Sequence, residues 1–137
     1  MVRNPPLEIT LSLSYSWPQE PNGYVRTAKV AIPETQPGEK VPVVFHLHGN
    51  GGQGNTHPFG NFLGDACIIV APDGYERSWY NLVSQRISSE HFSTRNIYFE
   101  KSKADDFQFI MDLIKKIEQE IPQADMTNVN IAGSIKI

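Results

Sequence analysis

Residues His46 to Thr56 read "HLHGNGGQGNT", and how this glycine-rich stretch is read decides the fold. Three chemistries fit it. Gly49-x-Gly51-x-x-Gly54 has the spacing of a dinucleotide-binding turn. Gly49-x-x-x-x-Gly54-Asn55-Thr56 has the frame of a phosphate loop, with asparagine where lysine belongs. His46-Leu47-His48-Gly49 followed by more glycine matches a loop that offers backbone N–H donors to an oxyanion in acyl transfer.

The flanking residues discriminate. Upstream, Val41 to His48 ("VPVVFHLH") is a near-continuous β-branched and aromatic run, the pattern of a strand covered on both faces. Downstream, a dinucleotide fold needs a helix that opens inside the glycines. Residues 55–66 contain Pro58, Gly60 and Gly64, which cost about 5 kcal/mol of helix propensity relative to alanine. Asp73, at the end of the next apolar run, does stand near the place of a ribose-binding acid. For the phosphate loop, the neutral amide of Asn55 does not replace an ammonium. A His46-x-His48 pair on a strand faces one way and could hold zinc. Asn50 stands where an acid would be needed, however, and His57 and His91 fall in loops, so neither a metal nor a cofactor is expected. The remaining reading is an oxyanion loop with Gly49, Asn50 and Gly51 as candidate donors. Glycines there let the backbone approach a substrate with no Cβ in the way.

Leu7, Ile9, Leu11, Leu13 and Tyr15 alternate with polar residues, which predicts a strand with one wet face. "WPQEPNGY" (residues 17–24) reads as turn chemistry, and Val25 to Ile32 alternates again up to Pro33. These two strands are expected to pair antiparallel. "CIIVAP" (67–72) and "NVNIAG" (128–133) read as further strands of the kind buried on both faces. Between them Phe107, Ile110, Leu113, Ile114, Ile117 and Ile121 recur at helical spacing up to Pro122. Ser102 is the expected cap, three before Asp105, and Asp105 and Asp106 are expected as first-turn acids facing the helix dipole. Gly74 to Lys101 is polar, aromatic-rich and without clear period. The predicted fold class is α/β: an antiparallel hairpin followed by parallel strands with a long amphipathic helix, in one domain over 1–137.

Four blocks together carry a resemblance: "VPVVFHLHGNGGQGN" (41–55), "IIVAPDGYERSWYN" (68–81), "DDFQFIMDLIKKI" (105–117) and "NVNIAG" (128–133). In order and spacing the chain resembles the polyhydroxybutyrate depolymerase, feruloyl esterase and acetylxylan esterase group of α/β-hydrolases. The resemblance implies the N-terminal part of an α/β-hydrolase sheet and serine-dependent hydrolysis of a carboxylic ester. It implies that Asp73 and Trp79 lie beside the substrate cleft, and that "NVNIAG" leads to the nucleophile elbow. The group's G-x-S-x-G is absent. The chain ends Gly133-Ser134-Ile135-Lys136-Ile137, and no alignment of Gly133 or Ser134 yields the motif. Acid and histidine should follow the nucleophile in this fold. The expectation is therefore a truncated esterase that is inactive alone, with "NVNIAG" as an exposed sheet edge open to self-association. A complete small α/β domain, a non-catalytic binding module and a dinucleotide binder are the alternatives.

The charge balance is −3, with a pI near 5.8, which gives no reason to expect a nucleic-acid partner. No window is apolar enough to suggest a membrane span, and "MVRNPPLEITLSLSY" has no signal-peptide core. The expected localisation is cytoplasmic by default, with a secreted parent left open. The single cysteine, Cys67, lies in an apolar run and reads as a small core residue.

Overall fold

The computed structural model describes residues 5–49, 51–56, 67–79 and 104–133. Strand β1 (Leu7–Trp17) keeps the period-two pattern, with Leu11 and Trp17 buried and Ser12, Ser14 and Ser16 exposed. Only Pro18 and Gln19 form the turn into β2 (Glu20–Ile32). The expected long turn is thus mostly strand. Its Pro21, Asn22 and Gly23 fall in the irregularity between the Tyr15–Tyr24 and Trp17–Glu20 pairs, where Gly23 takes φ +97°. A bulge tolerates proline and glycine that a regular ladder would reject.

Three shorter strands follow: β3 (Val41–Leu47), β4 (Ile68–Pro72) and, after helix α1 (Asp106–Glu120), β5 (Ala124–Gly133). They form one sheet with β1 and β2 in the order β1-β2-β4-β3-β5. β1–β2 and β2–β4 are antiparallel, whereas β4–β3 and β3–β5 are parallel. This is the hairpin-then-parallel arrangement the sequence predicts. Two burial expectations need correction. β3 alternates buried with half-buried residues, so only one of its faces is sealed. β5 starts at Ala124 rather than Asn128 and is largely exposed, because it is the last strand in the order; Ile131 is 58% exposed.

Helix α1 covers one face of the sheet. Phe109, Ile110, Leu113 and Ile117 pack on Ala28, Val30, Val43, Phe45 and Val70. The buried stripe is therefore centred on Phe109, and Phe107, expected inside, is 40% exposed. Asp105 caps the helix by accepting the Gln108 N–H at 2.9 Å. The expected cap, Ser102, lies outside the described residues. Asp106 does not act only on the dipole. Its side chain is fully buried and pairs with Arg26 of β2 at 2.8 Å, and the Arg26 guanidinium sits 4.0 Å from the Phe109 ring centre. Tyr15 O–H donates to Asp112 at 2.6 Å and ties β1 to the same helix. Among the described residues no helix is long and apolar enough to cross a membrane.

Candidate functional site

The strand order sets the carboxyl ends of β4, β3 and β5 side by side. β3 has β4 on one side and β5 on the other. Loop 51–56, which leaves β3, lies on the face opposite α1, with Gly54 against Lys29, and Lys29 points away from the face that buries Ala28 and Val30. The chain leaving β4 leads to α1 on the other face. Gly133 at the end of β5 pairs with Leu47 so closely that a Cβ there would lie 2.3 Å from the Leu47 carbonyl oxygen.

His48, the first residue after β3, is 5% exposed and has both ring nitrogens engaged. Nε2 accepts the Gly74 backbone N–H at 2.9 Å. Nδ1 lies 2.7 Å from the Gly49 carbonyl oxygen. The His48 carbonyl accepts the Trp79 indole N–H at 2.9 Å, and the two rings lie 5.1 Å apart at a 35° tilt. His48 is thus joined to the segment after β4 at three places.

The glycine loop continues this fastening. The Gly51 N–H donates to the Arg77 carbonyl at 2.8 Å and the Gly52 N–H to the Gly49 carbonyl at 3.0 Å. The Gly54 N–H donates to Asp73 Oδ1 at 2.6 Å, and Lys29 Nζ reaches the Gly54 carbonyl at 3.4 Å. Asp73 Oδ2 accepts the Thr27 hydroxyl at 3.1 Å. Thr56 donates to the Glu8 carboxylate of β1. Gly54 has to be glycine: a Cβ would meet the Ala71 carbonyl oxygen at 2.4 Å.

The partner segment is itself strained and braced. Glu76 and Arg77 both adopt left-handed φ, 51° and 60°, which costs energy for residues with a Cβ. Tyr75 between them and β4 is held by edge contacts to Trp17 at 4.8 Å and Tyr24 at 5.1 Å. Its hydroxyl donates to Glu20 at 2.7 Å. Burial, then the Glu20 hydrogen bond, holds this phenol well above its ordinary pKa.

The residues singled out from sequence can now be placed. Gly49, Gly51, Asp73 and Trp79 are gathered at the carboxyl ends of β3 and β4. Asn50 lies outside the described residues, as do His57, His91 and Ser134. His46 and His48 do not act as a pair. His46 is half-buried within β3, and burial lowers its pKa. His48 spends both nitrogens on the backbone. Among the described residues no group of three His, Cys, Asp or Glu side chains could hold a metal. Cys67 is buried, and burial raises its thiol pKa. Sequence reasoning missed Gly74, Thr27 and Lys29. Only "PDG" at 72–74, a turn signal directly after a strand, marked one of them.

No protein-family model matches the chain, and no curated protein sequence matches it. Solved structures do. A thermostable esterase superposes with a TM-score of 0.55 at 19% identity, over 90% of this chain and 34% of that one. An acylaminoacyl peptidase from Pyrococcus horikoshii superposes with a TM-score of 0.50 at 19% identity, over 92% of this chain and 19% of that one. The chain spans about a third of the first protein's length and about a fifth of the second's. Likeness at this identity establishes architecture: the five strands and α1 form part of an α/β-hydrolase fold.

Proposed function

We propose that this chain carries the oxyanion side of a serine carboxylic-ester hydrolase akin to polyhydroxybutyrate depolymerases and feruloyl and acetylxylan esterases. One observation carries the reading. The glycine loop after β3 is fastened through its backbone beside the end of β5, where donors preorganised for a developing negative oxygen are needed. The amides of Gly49, Asn50 and Gly51 are the proposed donors. Gly51 would exchange the Arg77 carbonyl for the oxyanion. Asp73 and Trp79 border the cleft for a small or polymer-derived ester.

No G-x-S-x-G occurs in the 137 residues. The pure chain is therefore expected not to turn over p-nitrophenyl acetate. Turnover abolished by Ser134→Ala would overturn that expectation. The positive test is a chimera in which residues 7–133 replace the equivalent strands of an active esterase of this group. Ester hydrolysis by the folded chimera supports the reading, and a folded but inactive chimera refutes it. A second reading, ligand binding without chemistry, is favoured by the half-buried Trp79 indole lying over His48 beside the loop. A change in Trp79 emission on adding methyl ferulate to the pure chain, absent in Trp79→Phe, would support it.

A further inference from the structure

We infer that His48 is the positioning residue of the glycine loop, acting as a neutral Nδ1–H imidazole that holds the Gly49 carbonyl in one orientation. The inference rests on the oxyanion reading above for its purpose, but its geometry stands apart from it.

The tautomer follows from the partners. A backbone N–H can only donate, so Nε2, which receives the Gly74 amide at 2.9 Å, carries a lone pair and no proton. An imidazolium has no such lone pair, so the ring is neutral and its one proton sits on Nδ1. That proton is directed at the Gly49 carbonyl oxygen, 2.7 Å away. The same oxygen receives the Gly52 N–H at 3.0 Å, so two donors hold one carbonyl.

The electrostatic consequence is specific. A carbonyl lone pair turned toward a developing oxyanion would repel it, and a peptide unit is planar, so fixing its oxygen fixes the plane of the whole unit. His48 therefore engages this acceptor before any charge develops. The ring is placed from three directions, by Leu47 at the end of β3, by the Gly74 amide and by the Trp79 ring 5.1 Å away. Gly74 in turn is confined, because a Cβ there would lie 2.3 Å from the Ser78 carbonyl oxygen. His48 is not proposed as a catalytic residue, since neither nitrogen is free to exchange a proton with a substrate.

The test uses the full chain labelled with 15N-histidine at neutral pH. The expected spectrum places the His48 proton on Nδ1 and leaves Nε2 unprotonated. His48→Gln, whose carbonyl can accept the Gly74 amide, is expected to retain slow exchange at the Gly74 and Gly52 amides. His48→Phe keeps the ring and its Trp79 contact but removes both nitrogens. It is expected to speed exchange at those two amides about tenfold while the α1 amides stay unchanged. An Nε2–H or doubly protonated ring, or Gly74 and Gly52 exchange unaltered in His48→Phe, overturns the inference. The tautomer is read on the unaltered protein, so the test survives a variant that fails to fold. None of these outcomes depends on ester hydrolysis, which the chimera probes separately.

Discussion

The two faces of the sheet are organised by different physics. On the α1 face, contact is apolar and continuous, and its polar groups, Arg26 and Asp106, are sealed and paired with each other. On the opposite face, loop 51–56 contributes glycines and is held through its backbone, which donates to Asp73 Oδ1 and the Arg77 carbonyl and accepts from Lys29. Apolar packing is roughly proportional to buried area and indifferent to direction. Hydrogen bonds to backbone amides are individually weak but fix orientation. One face holds the molecule together, and the other sets where amides and carbonyls point.

That division can be broken from the α1 side first. Asp106→Ala leaves the Arg26 guanidinium buried without its partner and is expected to cost about 3–5 kcal/mol in urea unfolding. A double change, Arg26→Met with Asp106→Leu, should recover most of that loss. If it does not, the pair contributes more than mutual compensation. On the loop face, Gly54→Ala forces a methyl against the Ala71 carbonyl and is expected to cost about 1–3 kcal/mol. Its signature should be local, with faster amide exchange at residues 51–54 and unchanged exchange in α1. Global loss of protection would show the two faces to be less independent than proposed here. Asp105→Ala removes only the helix cap, at about 1 kcal/mol, and should leave loop exchange untouched.

The smallest expected effect is alkaline. Burial first, then the hydrogen bond and charge of Asp112, raises the pKa of the half-exposed Tyr15 phenol. An acid whose folded pKa lies above its unfolded value binds its proton more tightly when folded. Its contribution is complete below the unfolded phenol value, near 10, and falls as pH rises from there toward the folded value. Stability should decline above that pH in wild type and less steeply in Tyr15→Phe, with tyrosinate absorbance at 295 nm as the direct readout.

Legibility from sequence follows the same division. β1 can be read from period-two alternation because one of its sides meets a core, and β4 from its unbroken apolar run because both of its sides are buried. The extent of β2 could not, since Pro21, Asn22 and Gly23 have the composition of a turn, and only pairing with β1 shows that a bulge accommodates them. Asp106 reads as a dipole acid because position in the first turn is local information. Its partner Arg26 lies eighty residues upstream, and alternation alone gives no hint that an arginine occupies an inward position. Phe107 and Phe109 compete for the same stripe, and two residues decide which faces the sheet. The glycine loop could be recognised by composition, and Asp73 and Trp79 could be placed beside it by resemblance. The bonds joining them could not, because Gly74, Thr27 and Lys29 act through one amide, one hydroxyl and one ammonium that no short motif encodes.

Asp73 spends its two oxygens on different parts of the chain, Oδ1 on the Gly54 amide and Oδ2 on the Thr27 hydroxyl. Position 27 is thereby less free than a half-buried site on a hairpin strand ordinarily is. Serine there preserves the anchor, whereas valine preserves only the outline and lets the carboxylate rotate. The tolerance of the loop to inherited change is thus written partly on a hairpin strand and not only on the loop itself.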